Sequence, residues 1–161
     1  MKPRVYVETS VISYLVAWPS RDIVVAAHQQ VTQEWWATRE HFELFTSQLV
    51  VREAGAGDPQ AAARRLQVLE ETSILDVSFD ADELARAMVE RGAVPAVAIA
   101  DALHVAIAAM NGMTHLVTWN LTHIANADCR GRLEAVCREE GIEPPLIATP
   151  EEMTRETSDV P

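Results

Sequence analysis

The sequence predicts an α/β chain built on a mostly parallel sheet with helices covering both faces. Short runs rich in β-branched and aromatic residues recur along the chain, and longer amphipathic or alanine-rich segments separate them. Glycine, proline or a capping residue marks most of the changes between the two.

Taken in order, Val5-Tyr6-Val7 belongs to a first strand at residues 4–7. It runs directly into Glu8-Thr9-Ser10, which can cap a helix beginning near Val11 and reaching Ala17. Pro19-Ser20 separates that helix from a long one over residues 21–42, with Ile23, Val24, Ala27, Val31, Trp35 and Phe42 near helical spacing. Residues 43–46 resemble a second strand. Ser47 then caps a helix that carries Glu53 and stops at Gly55-Ala56-Gly57. Asp58-Pro59 opens a further helix to about Glu71, with proline at its first position. A third strand follows at residues 73–77, then an amphipathic helix from Asp80 to about Gly92. Pro95 precedes the helix bearing Asp101, which ends at Asn111-Gly112. The fourth strand is residues 114–119, a polar helix spans 129–141, and a last short strand lies at 145–149. The expectation is one domain over residues 1–150 and a charged, flexible tail over 151–161.

With 161 residues, 48% of them hydrophobic, the chain can bury a full core without disulfides or a structural metal. Cys129 and Cys137 stand eight residues apart in one expected helix, about 12 Å along its axis, too far for a mutual disulfide. No apolar run approaches the roughly 20 residues of a membrane helix, so a cytoplasmic protein without membrane attachment is expected. The formal net charge of −11 argues against a broad basic surface for indiscriminate nucleic-acid binding. It leaves room for a nuclease, because a cation-binding cup is acidic and Arg52, Arg64 and Arg65 can still meet a phosphate backbone.

Glu8, Glu53, Asp101 and Asn120 fall at the ends of, or inside, apolar stretches that an α/β fold would gather together. Glu8 and Asn120 leave the carboxyl ends of the first and fourth strands, where open parallel sheets bind ligands. Glu53 and Asp101 lie on apolar helices, and aspartate is a poor residue for a helix interior. Three carboxylates and an amide offer the oxygen ligands that Mg²⁺ and Mn²⁺ favour. Such an ion can activate water against a phosphodiester. Each residue also has an ordinary explanation: Glu8 as a helix-start acid, Glu53 as a solvated partner of arginine, Asn120 as a turn former. Ser10 and Thr118 flank the proposed cup. His123 is expected in the first turn of a helix beside it, and Trp35-Trp36 divides between core and a partner surface.

The segments Val5 to Ile12, Leu49-Val50-Val51-Arg52-Glu53, Asp101-Ala102-Leu103-His104-Val105-Ala106 and Leu116-Val117-Thr118-Trp119-Asn120 resemble, in order, the four acidic-site motifs of the PIN-domain family. Gly57-Asp58-Pro59 and His123-Ile124-Ala125-Asn126 extend the likeness, which is strongest to VapC-like members. The resemblance implies a three-layer α/β/α sandwich and an Mg²⁺- or Mn²⁺-dependent endoribonuclease leaving a 5′-phosphate and a 3′-hydroxyl. It implies a toxin restrained by a cognate antitoxin, commonly as a homodimer. Carried across by motif, Glu8, Glu53, Asp101 and Asn120 take the four positions, with Glu8, Asp101 and Glu53 holding the metal. The family usually has aspartate at the first position and often at the fourth. Glu8 adds a methylene, roughly 1.5 Å of reach, and Asn120 removes a charge. Those departures define the alternative, a weakened module that binds RNA or a protein partner without cutting. Receiver-like or dehalogenase-like phosphoryl chemistry is disfavoured, since Lys2 is the only lysine and no second aspartate accompanies Glu8.

Overall fold

The computed structural model describes residues 1–158. Five parallel strands form one sheet: β1 (Arg4–Val7), β2 (Glu43–Ser47), β3 (Ser73–Leu75), β4 (His115–Val117) and β5 (Leu146–Ala148), in the spatial order β3-β2-β1-β4-β5. Tyr6 pairs in register with Phe45 on one side and Leu116 on the other. The chain walks outward from β1 through β2 to β3, then returns to the opposite side of β1 and walks through β4 to β5. The strand order therefore reverses between β1 and β4. Crossovers in parallel sheets are right-handed, so the two walks place their helices on opposite faces. This is the three-layer α/β/α sandwich expected of the sequence.

α1 (Thr9–Val16), α2 (Ile23–Trp36), α3 (Gln48–Ala54) and α4 (Pro59–Leu69) pack through α1, while α5 (Phe79–Glu90), α6 (Ile99–Met110) and α7 (Ala127–Glu139) pack together. Because helices cover both faces, the central strands carry apolar runs rather than alternation. Val5, Tyr6, Val7, Leu116 and Val117 are fully buried. In α6, Ala102, Val105, Ala106, Ile107 and Ala108 are fully buried as well, and the small alanines let α5 approach closely. Asp101 lies on what remains of the open side of that helix.

Caps explain where the elements depart from their expected ends. Glu8 itself caps α1, which starts two residues before Val11. α2 starts at Ile23 because Asp22 Oδ1 accepts from the amides of Val24 and Val25, and it ends at Trp36, short of Phe42. Trp35 and Trp36 are both buried, so the pair belongs to the core and offers no partner surface. The fourth strand stops at Val117, which puts Asn120 in the following turn rather than at the strand's last position. The expected tail begins as α8 (Pro150–Ser158). Thr149 and Glu152 exchange side-chain to backbone hydrogen bonds in a capping box, and Met153 is buried. α8 packs on α2, and the tail's residues 159–161 lie outside the described ones.

Ser47 is the cap with most attached to it. Its Oγ accepts from Val50 N at the start of α3 and is 2.8 Å from Tyr6 Oη, all without solvent access. Ser47→Ala should therefore cost about 2 kcal/mol, beyond the roughly 1 kcal/mol expected for the exposed cap change Asp22→Ala. Urea denaturation of both variants checks this, and equal losses would contradict it.

Candidate functional site

The reversal of strand order between β1 and β4 opens a crevice at the carboxyl ends of these strands, the place where open α/β sheets bind ligands. Glu8 enters it directly from β1. Glu8 is 5% exposed, and a buried charge is tolerable only when it is hydrogen-bonded or paired. Oε2 accepts from Ser10 N at 3.0 Å, from Ser10 Oγ, and from Thr118 Oγ1 at 2.8 Å. Ser10 Oγ in turn accepts from Trp119 N, and Thr118 Oγ1 from Asn120 N. Ser10 and Thr118 thus join the exit of β4 to the start of α1 through one carboxylate oxygen. The other oxygen, Oε1, accepts no hydrogen bond among the described residues and lies 4.0 Å from His104 Nε2.

Glu53 reaches the same place from α3. Its Oε1 accepts from Thr9 Oγ1 at 2.6 Å and is 2.7 Å from His104 Nε2. His104 is completely buried, and its Nδ1 is 2.8 Å from Tyr6 Oη. The contacts close a ring: Glu53 to His104, to Tyr6, to Ser47, to the first turn of the helix that carries Glu53. Glu8, Glu53 and His104 each present one donor atom, all within 4.8 Å of one another. Two carboxylates and an imidazole at this separation fit a divalent first-row cation or, through the carboxylates, Mg²⁺.

Asp101, expected among the metal ligands, is not one of those three. Its Oδ2 is 3.0 Å from His123 Nδ1. His123 occupies a turn rather than a helix start, and Asn120 shapes that turn by accepting from the amides of Thr122 and His123 through Oδ1. The side-chain oxygen of Asn120 is thus engaged in the backbone. What Asn120 does in this structure is place the histidine that holds Asp101. His104 was missed because it sits in an apolar helical run, where a core histidine is the ordinary reading. The signal was its i, i+3 spacing from Asp101, which puts both on one helix face. Trp119 was missed as well: it stacks on His28 at 4.1 Å and donates to Thr32 Oγ1, pinning the exit of β4 against α2.

The charges reinforce one another. Burial opposes ionisation of His104, but the hydrogen bond to Glu53 and the charges of Glu8, Glu53 and Asp101 outweigh it and raise its pKa. For Glu53, burial pushes upward, and the His104 hydrogen bond and charge, Thr9 and Arg52 together bring its pKa below the usual value. Both shifts favour an ion pair between the two. Tyr6, driven far up by burial, stays a phenol. Arg65, expected near phosphate, donates instead to the carbonyls of Ala54 and Ala56, while Arg64 stacks on the exposed Trp18.

The family profile of the PIN domain matches residues 5–126. The fold is similar to that of VapC20 from Mycobacterium tuberculosis, a sarcin-ricin loop cleaving toxin, with a TM-score of 0.57 and 17% identity over 73% of this chain and 91% of that one. It is also similar to VapBC2 from Rickettsia felis, solved bound to a DNA fragment from their promoter, with a TM-score of 0.58 and 13% identity over 91% of this chain and 98% of that one. These likenesses concern the fold. No curated protein matches the sequence.

The ion pair sets a pH window for stability. A lowered Glu53 contributes stability above its ordinary value of 4.5 that is lost as pH falls through its folded value. A raised His104 contributes stability below its ordinary value of 6.5 that is lost as pH rises through its folded value. In metal-free protein the pair should contribute most between those two ordinary values. His104→Gln should narrow the stability gap to wild type on the alkaline side, as followed by urea midpoints across pH. A gap independent of pH would contradict the ion pair.

Proposed function

Because this chain belongs to the PIN-domain family, we propose that it is a metal-dependent endoribonuclease that hydrolyses RNA phosphodiester bonds and serves as the toxin of a toxin–antitoxin pair. The observation that carries the reading is the convergence of Glu8, Glu53 and His104 at the switch point of the sheet. Glu8 has one oxygen saturated by protein donors and the other facing Glu53 and His104. That asymmetry suits a carboxylate built to hold a cation on one side only.

Glu8, Glu53 and Asp101 would hold Mg²⁺ or Mn²⁺, which when bound polarises a phosphoryl oxygen and lowers the pKa of water. Ser10 and Thr118 fix the Glu8 carboxylate so that little reorganisation is needed. Glu53, kept ionised beside His104, would orient or deprotonate the attacking water. His123, set by the Asn120 turn, fixes one oxygen of the Asp101 carboxylate. The toxin role is supported by the fold shared with VapC20 and VapBC2. An acidic chain of this kind pairs with a basic antitoxin segment. We extend the reading to a homodimer acting in the cytoplasm; among the described residues no helix is long and apolar enough to cross a membrane.

A second reading, a PIN-fold module that binds RNA or a protein without cutting it, is favoured by one observation: Asn120 brings no charge, and its side-chain oxygen is engaged in a turn. Incubating the antitoxin-free protein with a mixed RNA pool separates the two. Cleavage should require Mn²⁺ or Mg²⁺, stop with chelator, and fall about 100-fold or more in Glu8→Gln and in Asp101→Asn, the scale of losing a charge-stabilising group. Full activity in either variant would contradict the assignment, and a folded wild type without cleavage would favour the binding module.

A further inference from the structure

We propose that His104 is a direct nitrogen ligand of the cation, so that Glu8, Glu53 and His104 form a mixed oxygen and nitrogen site that prefers Mn²⁺ to Mg²⁺. The inference rests on the metal site proposed above and deepens it. The four sequence motifs place only carboxylates and an amide there. The fold places an imidazole.

The geometry assigns the ligand by several independent features. His104 has no solvent exposure, yet its Nε2 is aimed between two carboxylates, 2.7 Å from Glu53 Oε1 and 4.0 Å from Glu8 Oε1. Around a six-coordinate ion with bonds of about 2.1 Å, adjacent donors stand about 3 Å apart and opposed donors about 4 Å. The 4.0 Å separation matches opposed donors, and the 2.7 Å one, a hydrogen-bond length, is a little shorter than that of adjacent donors. The Asp101 carboxylate, on the same face of α6, is 3.0 Å from His123 Nδ1 through Oδ2 only, so His104 adds a nitrogen to the oxygens offered there.

The far side of the ring is prepared for the same role. A histidine that binds metal through one nitrogen normally donates its other N–H to a fixed acceptor. Here Nδ1 faces Tyr6 Oη at 2.8 Å, and Tyr6 Oη faces Ser47 Oγ at 2.8 Å. Hydroxyls can donate or accept, so around a neutral His104 ring this chain runs in either direction. In one direction Tyr6 donates to Nδ1 and Nε2–H donates to Glu53. In the other, Nδ1–H donates to Tyr6, Tyr6 donates to Ser47, and the Nε2 lone pair is left facing the carboxylates. The second arrangement leaves every atom in place and turns the hydrogen bond to Glu53 into a pair of donors for one cation.

Mn²⁺ binds imidazole more weakly than the later first-row ions but still accepts it, whereas Mg²⁺ takes an almost wholly oxygen shell and keeps its waters. Adding His104 to the carboxylates therefore shifts preference toward Mn²⁺. Pulsed electron paramagnetic resonance of the Mn²⁺-loaded full chain tests this without any turnover. The spectrum should carry the ¹⁴N modulation of a coordinated imidazole, should change to ¹⁵N features when histidine alone is ¹⁵N-labelled, and should keep the modulation in His123→Gln. In His104→Gln the modulation should vanish and Mn²⁺ affinity, measured by calorimetry, should fall about 10-fold or more, with Mg²⁺ affinity changed less than that. Bound Mn²⁺ without ¹⁴N modulation, or modulation lost in His123→Gln, would overturn the assignment to His104 while leaving the metal site standing. A folded wild type that binds neither ion would overturn both.

Discussion

The structure turns on a buried carboxylate. Glu8 sits at 5% exposure between the ends of two parallel strands, where an isolated charge would cost several kcal/mol. Three donors on one oxygen offset that cost. They come from the first turn of α1 and from the exit of β4, so the sheet has to place β1 and β4 side by side and α1 has to begin at once. Glutamate is not among the favoured cap residues. Its additional methylene lets it bend back onto the amide of Ser10 while the second oxygen stays directed into the crevice. The departure from aspartate noted in the sequence is thereby accommodated by local hydrogen bonding, without displacing the strand.

Around that carboxylate the fold builds a rigid polar ring from otherwise apolar elements. Tyr6 and Ser47 belong to neighbouring strands, His104 to a helix on one face, and Glu53 to a helix that Ser47 itself caps. Each member is satisfied by the next, which is the condition under which buried polar networks rigidify a core instead of weakening it. A disturbance at any member reaches Glu53. An exposed site could be made of the same residue types, but it would lack this coupling between helix capping and carboxylate orientation. The same ring explains how an overall acidic chain can direct ionised groups inward: His104 supplies the local positive partner in the absence of a cation.

Much of this was legible in the sequence, and the rest was hidden for identifiable reasons. The alternation of short β-branched runs with helical segments gave the parallel sheet, and strand ends pointed to Glu8 and the segment around Asn120. Element ends were less legible, because they depend on caps: Asp22 shortened α2, and the box of Thr149 and Glu152 turned a charged tail into a helix that buries Met153. Glu53 and Asp101 were visible as acids in apolar helices. His104 was not, since periodicity marks a buried position without distinguishing packing from ligation. Asn120 was visible at its position, but only the turn geometry reveals that its oxygen binds backbone amides. The strand order, and with it the crevice between β1 and β4, is a long-range property that no local pattern encodes.

The chemistry of the cut ends tests the central claim most directly. Hydrolysis by water activated at a divalent cation leaves a 5′-phosphate and a 3′-hydroxyl, whereas attack by the ribose 2′-hydroxyl, assisted by a histidine alone, leaves a 2′,3′-cyclic phosphate. Mass spectrometry of fragments from one defined RNA, cut with and without Mn²⁺, should find only 5′-phosphate and 3′-hydroxyl ends, and only with the metal. Cyclic phosphate ends that persist in chelator would contradict a metal-dependent nuclease at Glu8 and Glu53.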